Sequence, residues 1–206
     1  MAKTQVRKFD SQLAKLFSDR THWLKSLIRK KVRGKAPHFN RNKVEIGIRT
    51  LQKNATEALL HSRLVPSISD LCDQKAQWHP KMGNGRGVKA KIARFKQWYD
   101  TKITSAHCVY LFWNNRTCLY IGRTLNGKGR PLSHFEKKWF DKATRLDILA
   151  FRTKRDVAMS ECLATHKFKP KHSSIKPSRK KWFTRCPICE VNNHIRAEVK
   201  QIFRLK

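Results

Sequence analysis

Acidic residues are scarce in this sequence. Only 14 Asp and Glu stand against 47 Lys and Arg in 206 residues, a formal net charge of +33. A chain so biased repels itself unless a polyanion neutralises it. Long apolar runs are also missing. No stretch of 18 apolar residues occurs, which argues against a spanning helix, and no apolar leader segment follows Met1. The expected location is intracellular, cytoplasmic or nucleoid-associated, with no membrane partner. The six cysteines, at 72, 108, 118, 162, 186 and 189, show no secreted-type disulfide framework. No internal repeat is visible. The glycine-rich "GNGRG" at 83–87 lacks the Gly-Lys-Ser/Thr that a nucleotide-binding loop requires, although its amides can approach phosphates. What is present is a 39% apolar chain, enough for a core, with basic charge along its whole length. Nucleic acid is the natural partner, because each phosphate contact releases counterions.

Apolar residues near helical spacing predict one or two helices over 4–32, and a further helix over 43–64. Residues 33–42 and 79–87 carry glycine and proline punctuation and read as loops. A short basic amphipathic helix follows over 88–99. Residues 107–113 and 118–122 are rich in Val, Tyr, Leu, Phe and Ile and read as strands. Residues 126–140 read as a turn and then a helix with Pro131 in its first turn. A third strand is expected over 145–151, and a helix over 154–168 that stops before Pro170. The expected fold class is α/β (α+β): a small three-stranded antiparallel sheet in β-β-α-β-α order within a largely helical basic extension. The expected divisions are 1–100 as a basic nucleic-acid-binding or positioning region and 105–175 as the domain that holds this β-β-α-β-α unit. Residues 176–206 are expected to hold a basic linker and a C-terminal helix behind "CPIC".

The chemistry-bearing residues cluster in the middle. Two strand-like runs carry "CVY" at 108–110 and "YIG" at 120–122, so their tyrosines lie ten residues apart. Arg123 follows the glycine, Arg130 lies ten residues after Tyr120, and His134 four residues beyond that. Glu161 sits on the helix after the third strand, and Pro170 nine residues after it. In this pattern, over about a third of the chain, the sequence resembles the GIY-YIG nuclease family, with a histidine placed as in its restriction and homing enzymes. The resemblance implies a metal-dependent endonuclease in which Tyr110, Tyr120, Arg123, Arg130, His134 and Glu161 form the active site, Glu161 binding a single Mg²⁺ or Mn²⁺. Two positions depart from the family pattern. Cys108 replaces the first glycine, and Ser173 stands where an asparagine is usual, so Ser173 or His172 is expected to take over its supporting role.

These residue types suit phosphodiester hydrolysis in their own right. Antiparallel strands can bring Tyr110 and Tyr120 to one face. A phenol whose pKa is lowered by nearby cations takes a proton from water. Arg123 and Arg130 can clamp phosphoryl oxygens as charge develops. At i and i+4, Arg130 and His134 would share a helix face. Between the third strand and Pro170 the only carboxylates are Asp147, Asp156 and Glu161. Asp147 falls in the strand pattern and Asp156 in a first helical turn, which leaves Glu161 for a hard cation. Singly, each residue has a plainer reading: tyrosines as strand core, Arg130 as one of many cations, His134 as packing, Glu161 as a surface ion pair.

"CPIC" at 186–189 has the Cys-x₂-Cys spacing of half a zinc site. Cys162 and His166, at i and i+4 on the Glu161 helix, could complete it and staple the tail to the core; His194 and His172 are rival ligands. The plainer reading is two reduced cysteines before a helix. The expected function is a restriction-type or mobile-element-type DNA endonuclease, acting on two strands through a homodimer or in sequence. The alternatives are a non-catalytic nucleic-acid-binding protein of the same fold and a structural RNA-binding protein.

Overall fold

The computed structural model describes residues 41–62, 65–82, 87–173 and 186–203. The helices expected over 4–32, most of "GNGRG" and the linker at 176–185 lie outside the described residues. The chain divides into two compact units. In one, helix α1 (Arg41–Leu60) buries Val44, Ile48 and Leu59, and the C-terminal helix buries Val191, Ile195 and Val199. Polar ties join these two helices: Gln52 Nε2 donates to Asn192 O at 2.8 Å, and Asn192 Nδ2 to Thr56 Oγ1 at 3.0 Å.

The other unit, residues 65–190, carries every candidate catalytic residue. Its elements are α2 (Ile68–Leu71), β1 (Gln74–Trp78), α3 (Val88–Lys102), β2 (Cys108–Asn114) and β3 (Thr117–Thr124). There follow α4 (Gly129–Leu132), a 3₁₀ turn (Phe140–Lys142), β4 (Arg145–Ala150), α5 (Lys154–Phe168) and the start of α6 (Pro187–Phe203). The sheet is antiparallel and four-stranded, in the order β1-β4-β2-β3. The α+β class stands, but the expected count of three strands was one short. The added strand is "QKAQW", an edge strand registered against β4 from Gln74↔Ala150 to Trp78↔Leu146. It forms because β4 offers a free ladder, and its residues alternate between half-buried and exposed until Trp78 closes on the core.

Central β2 is buried on both faces, which explains its unbroken apolar run. One face packs Tyr110, Phe112, Leu146 and Ile148 against Phe95 and Tyr99 of α3 and against Phe135 and Phe140. The other packs Val109, Leu111, Ile121 and Leu149 against Val157 and Ala164 of α5. The β2–β3 turn is two residues long, and Asn115 takes φ 52°, a left-handed conformation that asparagine tolerates. The pairing shifts after Phe112, so that Phe112 faces Tyr120 while Trp113 faces Cys118. This bulge lets Leu119 and Tyr120 both serve the first face.

The helix expected within 126–140 is far shorter. Only Gly129–Leu132 is helical, and 3₁₀-type bonds such as Phe135 N to Leu132 O (3.0 Å) carry the chain onward. Arg130 and His134 therefore share no helix face. Helix α5 starts and stops as expected. Thr153 caps it by accepting from Asp156 N, and Lys169 closes it at φ 47° before Pro170.

Candidate active site and metal centre

Strand alternation puts Tyr110 and Tyr120 on one face of the sheet, their rings stacked with centroids 6.1 Å apart and planes within 19°. Tyr110 Oη reaches over Gly122, the glycine of "YIG". A Cβ at position 122 would lie 2.5 Å from Tyr110 Oη and 2.8 Å from Tyr120 Cε1. No side chain fits there, which accounts for the glycine physically. Gly122→Ala is expected to destabilise the fold by about 1–3 kcal/mol through overpacking, read as a lowered midpoint in urea. An unchanged midpoint would show that the phenol is not held over this residue.

Tyr110 Oη lies 3.1 Å from His134 Nε2. The turn of chain after α4 achieves what the expected helix was to do. Burial, and then the charges of Arg130 and Lys137, lower the His134 pKa to about 4, so the imidazole is neutral at pH 7. The phenol departs from expectation. Burial first, then neighbouring Tyr120, pushes the Tyr110 pKa well above the ordinary tyrosine range, and the opposing pull of Arg130 is weaker. Tyr110 is a protonated hydrogen-bonding group at neutral pH. The cations do not turn it into a resting phenolate, because desolvation of the charged form outweighs them.

The depressed His134 pKa has a consequence for stability. An unfolded histidine protonates near its ordinary 6.5 while the folded one resists to about 4. The unfolded state then binds more protons, so this residue lowers stability progressively as pH falls through that window. Glu161 slopes the other way, since burial raises its carboxyl pKa. The difference between the native chain and His134→Gln isolates the imidazole. Melting temperature is expected to fall less steeply from pH 6.5 to 4 in the variant, and parallel slopes would contradict the assignment.

Glu161 is buried on α5, and its Oε2 pairs with Arg123 Nη1 at 3.1 Å. Arg123, expected as a phosphate clamp, is thus engaged with the candidate metal ligand. Arg130 is exposed, yet its charge acts on Tyr110, His134 and Glu161 alike. The rival carboxylates are occupied: Asp147 pairs with Arg145 at 3.0 Å, and Asp156 Oδ2 accepts from the Thr153 hydroxyl at 2.7 Å. A carboxylate is the donor type that a hard ion such as Mg²⁺ would take, and in this structure Arg123 already pairs with it.

Residues 171–173 run along the free edge of β3. Lys171 N donates to Cys118 O at 3.2 Å, His172 N to Leu119 O at 2.8 Å, and Ser173 Oγ to Ile121 O at 3.0 Å. Ser173 thereby braces the strand beside Gly122. The His172 ring stacks on Trp139, and Trp139 on Tyr120. Trp139 escaped the sequence reading, since one tryptophan in "EKKWF" carries no spacing signal.

The second cluster joins Cys162, His166, Cys186 and Cys189, whose ligand atoms all lie within 4.8 Å of one another. Cys162 Sγ is 3.5 Å from Cys189 Sγ, and His166 Nε2 is 3.1 Å from it. Tetrahedral zinc at its usual bond lengths spaces two sulfurs by about 3.8 Å, so the side chains fit such an ion. The hydrogen bonds of Cys162 and Cys189 hold the Cys186 thiol well below the ordinary range. The rivals stand elsewhere: His194 faces Glu198 at 3.8 Å, and His172 is in the aromatic stack.

No helix among the described residues is long and apolar enough to cross a membrane. Comparisons with protein-family models, with curated proteins and with solved structures find no match to this chain.

Proposed function

We propose that this protein is a metal-dependent DNA endonuclease of GIY-YIG type, serving restriction or a mobile element. The observation that carries the reading is the contact between Tyr110 Oη and a neutral His134 within the electrostatic reach of Glu161 and Arg130. Glu161 would hold Mg²⁺, which supplies charge stabilisation for the departing 3′-oxygen. Tyr110 and His134 form a proton relay. As water attacks phosphorus, its proton goes to Tyr110 Oη while the phenol's own proton passes to His134 Nε2; the bond to the 3′-oxygen breaks, that oxygen takes a proton from solvent water to become the 3′-hydroxyl, and His134 returns its proton to solvent. A bound phosphodiester raises the proton affinity of His134 from its low resting value, because negative charge then faces the imidazole. Arg130 neutralises the phosphoryl oxygens, and Arg123 fixes Glu161 in position. A structural Zn²⁺ in the Cys₃His cluster belongs to the same reading, tying the first turn of α6 to α5 next to Glu161.

A second reading has one observation in its favour. Arg123 already neutralises Glu161, as in a purely structural ion pair, which suits a non-catalytic DNA-binding protein. End-labelled duplex DNA separates the two. The proposal expects Mg²⁺-dependent products ending in 5′-phosphate and 3′-hydroxyl. DNA bound tightly but left intact in Mg²⁺ and Mn²⁺ favours the second reading.

A further inference from the structure

Four rings form a column that begins at the buried end of the candidate active site. Tyr110 stacks on Tyr120, Tyr120 on Trp139 at 5.4 Å with planes within 11°, and Trp139 on His172 at 5.7 Å, again within 11°. Exposure rises along it: Tyr110 is fully buried, Tyr120 and Trp139 are half-buried, and His172 is exposed. The last ring is not a loose surface group, since its backbone is bonded to Leu119 O of β3. The column also passes beside His134, whose ring lies 4.3 Å from Tyr120 and 5.7 Å from Trp139. Exposed Lys137, Lys138, Lys169 and Lys171 adjoin Trp139 and His172 in the chain.

A rigid flat ring, presented to solvent among cations and in line with a phosphodiester site, is what an unstacked nucleobase binds. The base covers the ring face while the lysines meet the backbone phosphates. We propose that the Tyr120–Trp139–His172 column is a stacking platform for one unpaired DNA base near the phosphodiester held in the Tyr110–Glu161 site. The inference rests on the nuclease reading and narrows its substrate. DNA with a flap, a frayed end or another unpaired base is preferred over continuous duplex, because in a duplex the base is already stacked on its neighbours.

The test measures binding by the full chain in EDTA, by anisotropy of a labelled duplex bearing a single-stranded flap. A second probe has abasic residues throughout the flap, so phosphates remain and bases do not. The native chain is expected to bind the base-bearing flap about tenfold more tightly, within the range of one aromatic–base contact. His172→Ala and Trp139→Leu are expected to remove that preference and leave affinity for the abasic flap unchanged. His172 is exposed, so its variant carries the test if Trp139→Leu proves unstable. Equal affinity of the native chain for both flaps, or an undiminished preference in His172→Ala, overturns the platform. Cleavage plays no part in this assay. No preference in the native chain, with its Mg²⁺-dependent cleavage intact, removes only the platform, and preference without cleavage in Mg²⁺ removes only the nuclease reading.

Discussion

Glu161→Gln is expected to cut Mg²⁺-dependent DNA cleavage by about 10³-fold, the several kcal/mol that a lost metal ligand removes from transition-state stabilisation. Glutamine keeps the shape and the neighbourly hydrogen bonding of the buried side chain but gives up the charge a hard cation needs. The other carboxylates of the region are poor substitutes, with Asp147 held by Arg145 and Asp156 Oδ2 bonded by the Thr153 hydroxyl. DNA affinity should hold or rise slightly, because it rests on an excess of 33 positive charges and the variant loses one negative one. Single-turnover cleavage at saturating protein, beside a salt titration of binding, separates the two effects. A variant that binds and cleaves like the native chain would remove Glu161 from the chemistry.

The purified chain is expected to carry one equivalent of zinc, and Cys186→Ser to lose it. Cys186 is fully buried, directly before α6, and Glu190 N donates to its carbonyl at 3.0 Å, so the first turn of that helix starts at a candidate ligand. Cys162 immediately follows Glu161 on α5. Structural zinc contributes folding free energy outright, and losing about 4 kcal/mol in a chain of this size lowers the melting temperature by roughly 10 °C. The displacement of α5 should also reduce cleavage, since Glu161 rides on the same helix. Elemental analysis and calorimetry check this. Less than about half an equivalent, against the full occupancy of a structural site, or an unchanged melting temperature in Cys186→Ser, would contradict it.

Helix α5 was legible in the sequence almost to the residue, because its signals are local: Thr153 and Asp156 at the start, Pro170 past the end. Strands β2 and β3 were legible because both are rich in β-branched and aromatic residues. The four Cys and His residues of the candidate metal cluster were legible as spacing, two on one helix face and two in "CPIC". Strand β1 was not, since "QKAQW" has no strand pattern of its own and exists through its ladder to β4. The state of Tyr110 was not, because desolvation is a property of the assembled core and no spacing reports it. Nor were the partner of Arg123 and the place of Trp139, both fixed by the meeting of segments distant in sequence. Gly122 belongs to both groups. It is visible in "YIG", but its reason is a phenol arriving from the neighbouring strand.

The most direct test of the proposed activity uses supercoiled plasmid incubated with the full chain in Mg²⁺, beside an EDTA control and Glu161→Gln at equal DNA occupancy. The account predicts nicked or linear plasmid from the native chain in Mg²⁺ and intact supercoiled plasmid in the other two. Plasmid that stays supercoiled under the native chain while fully bound, or that Glu161→Gln cuts equally fast, would contradict it.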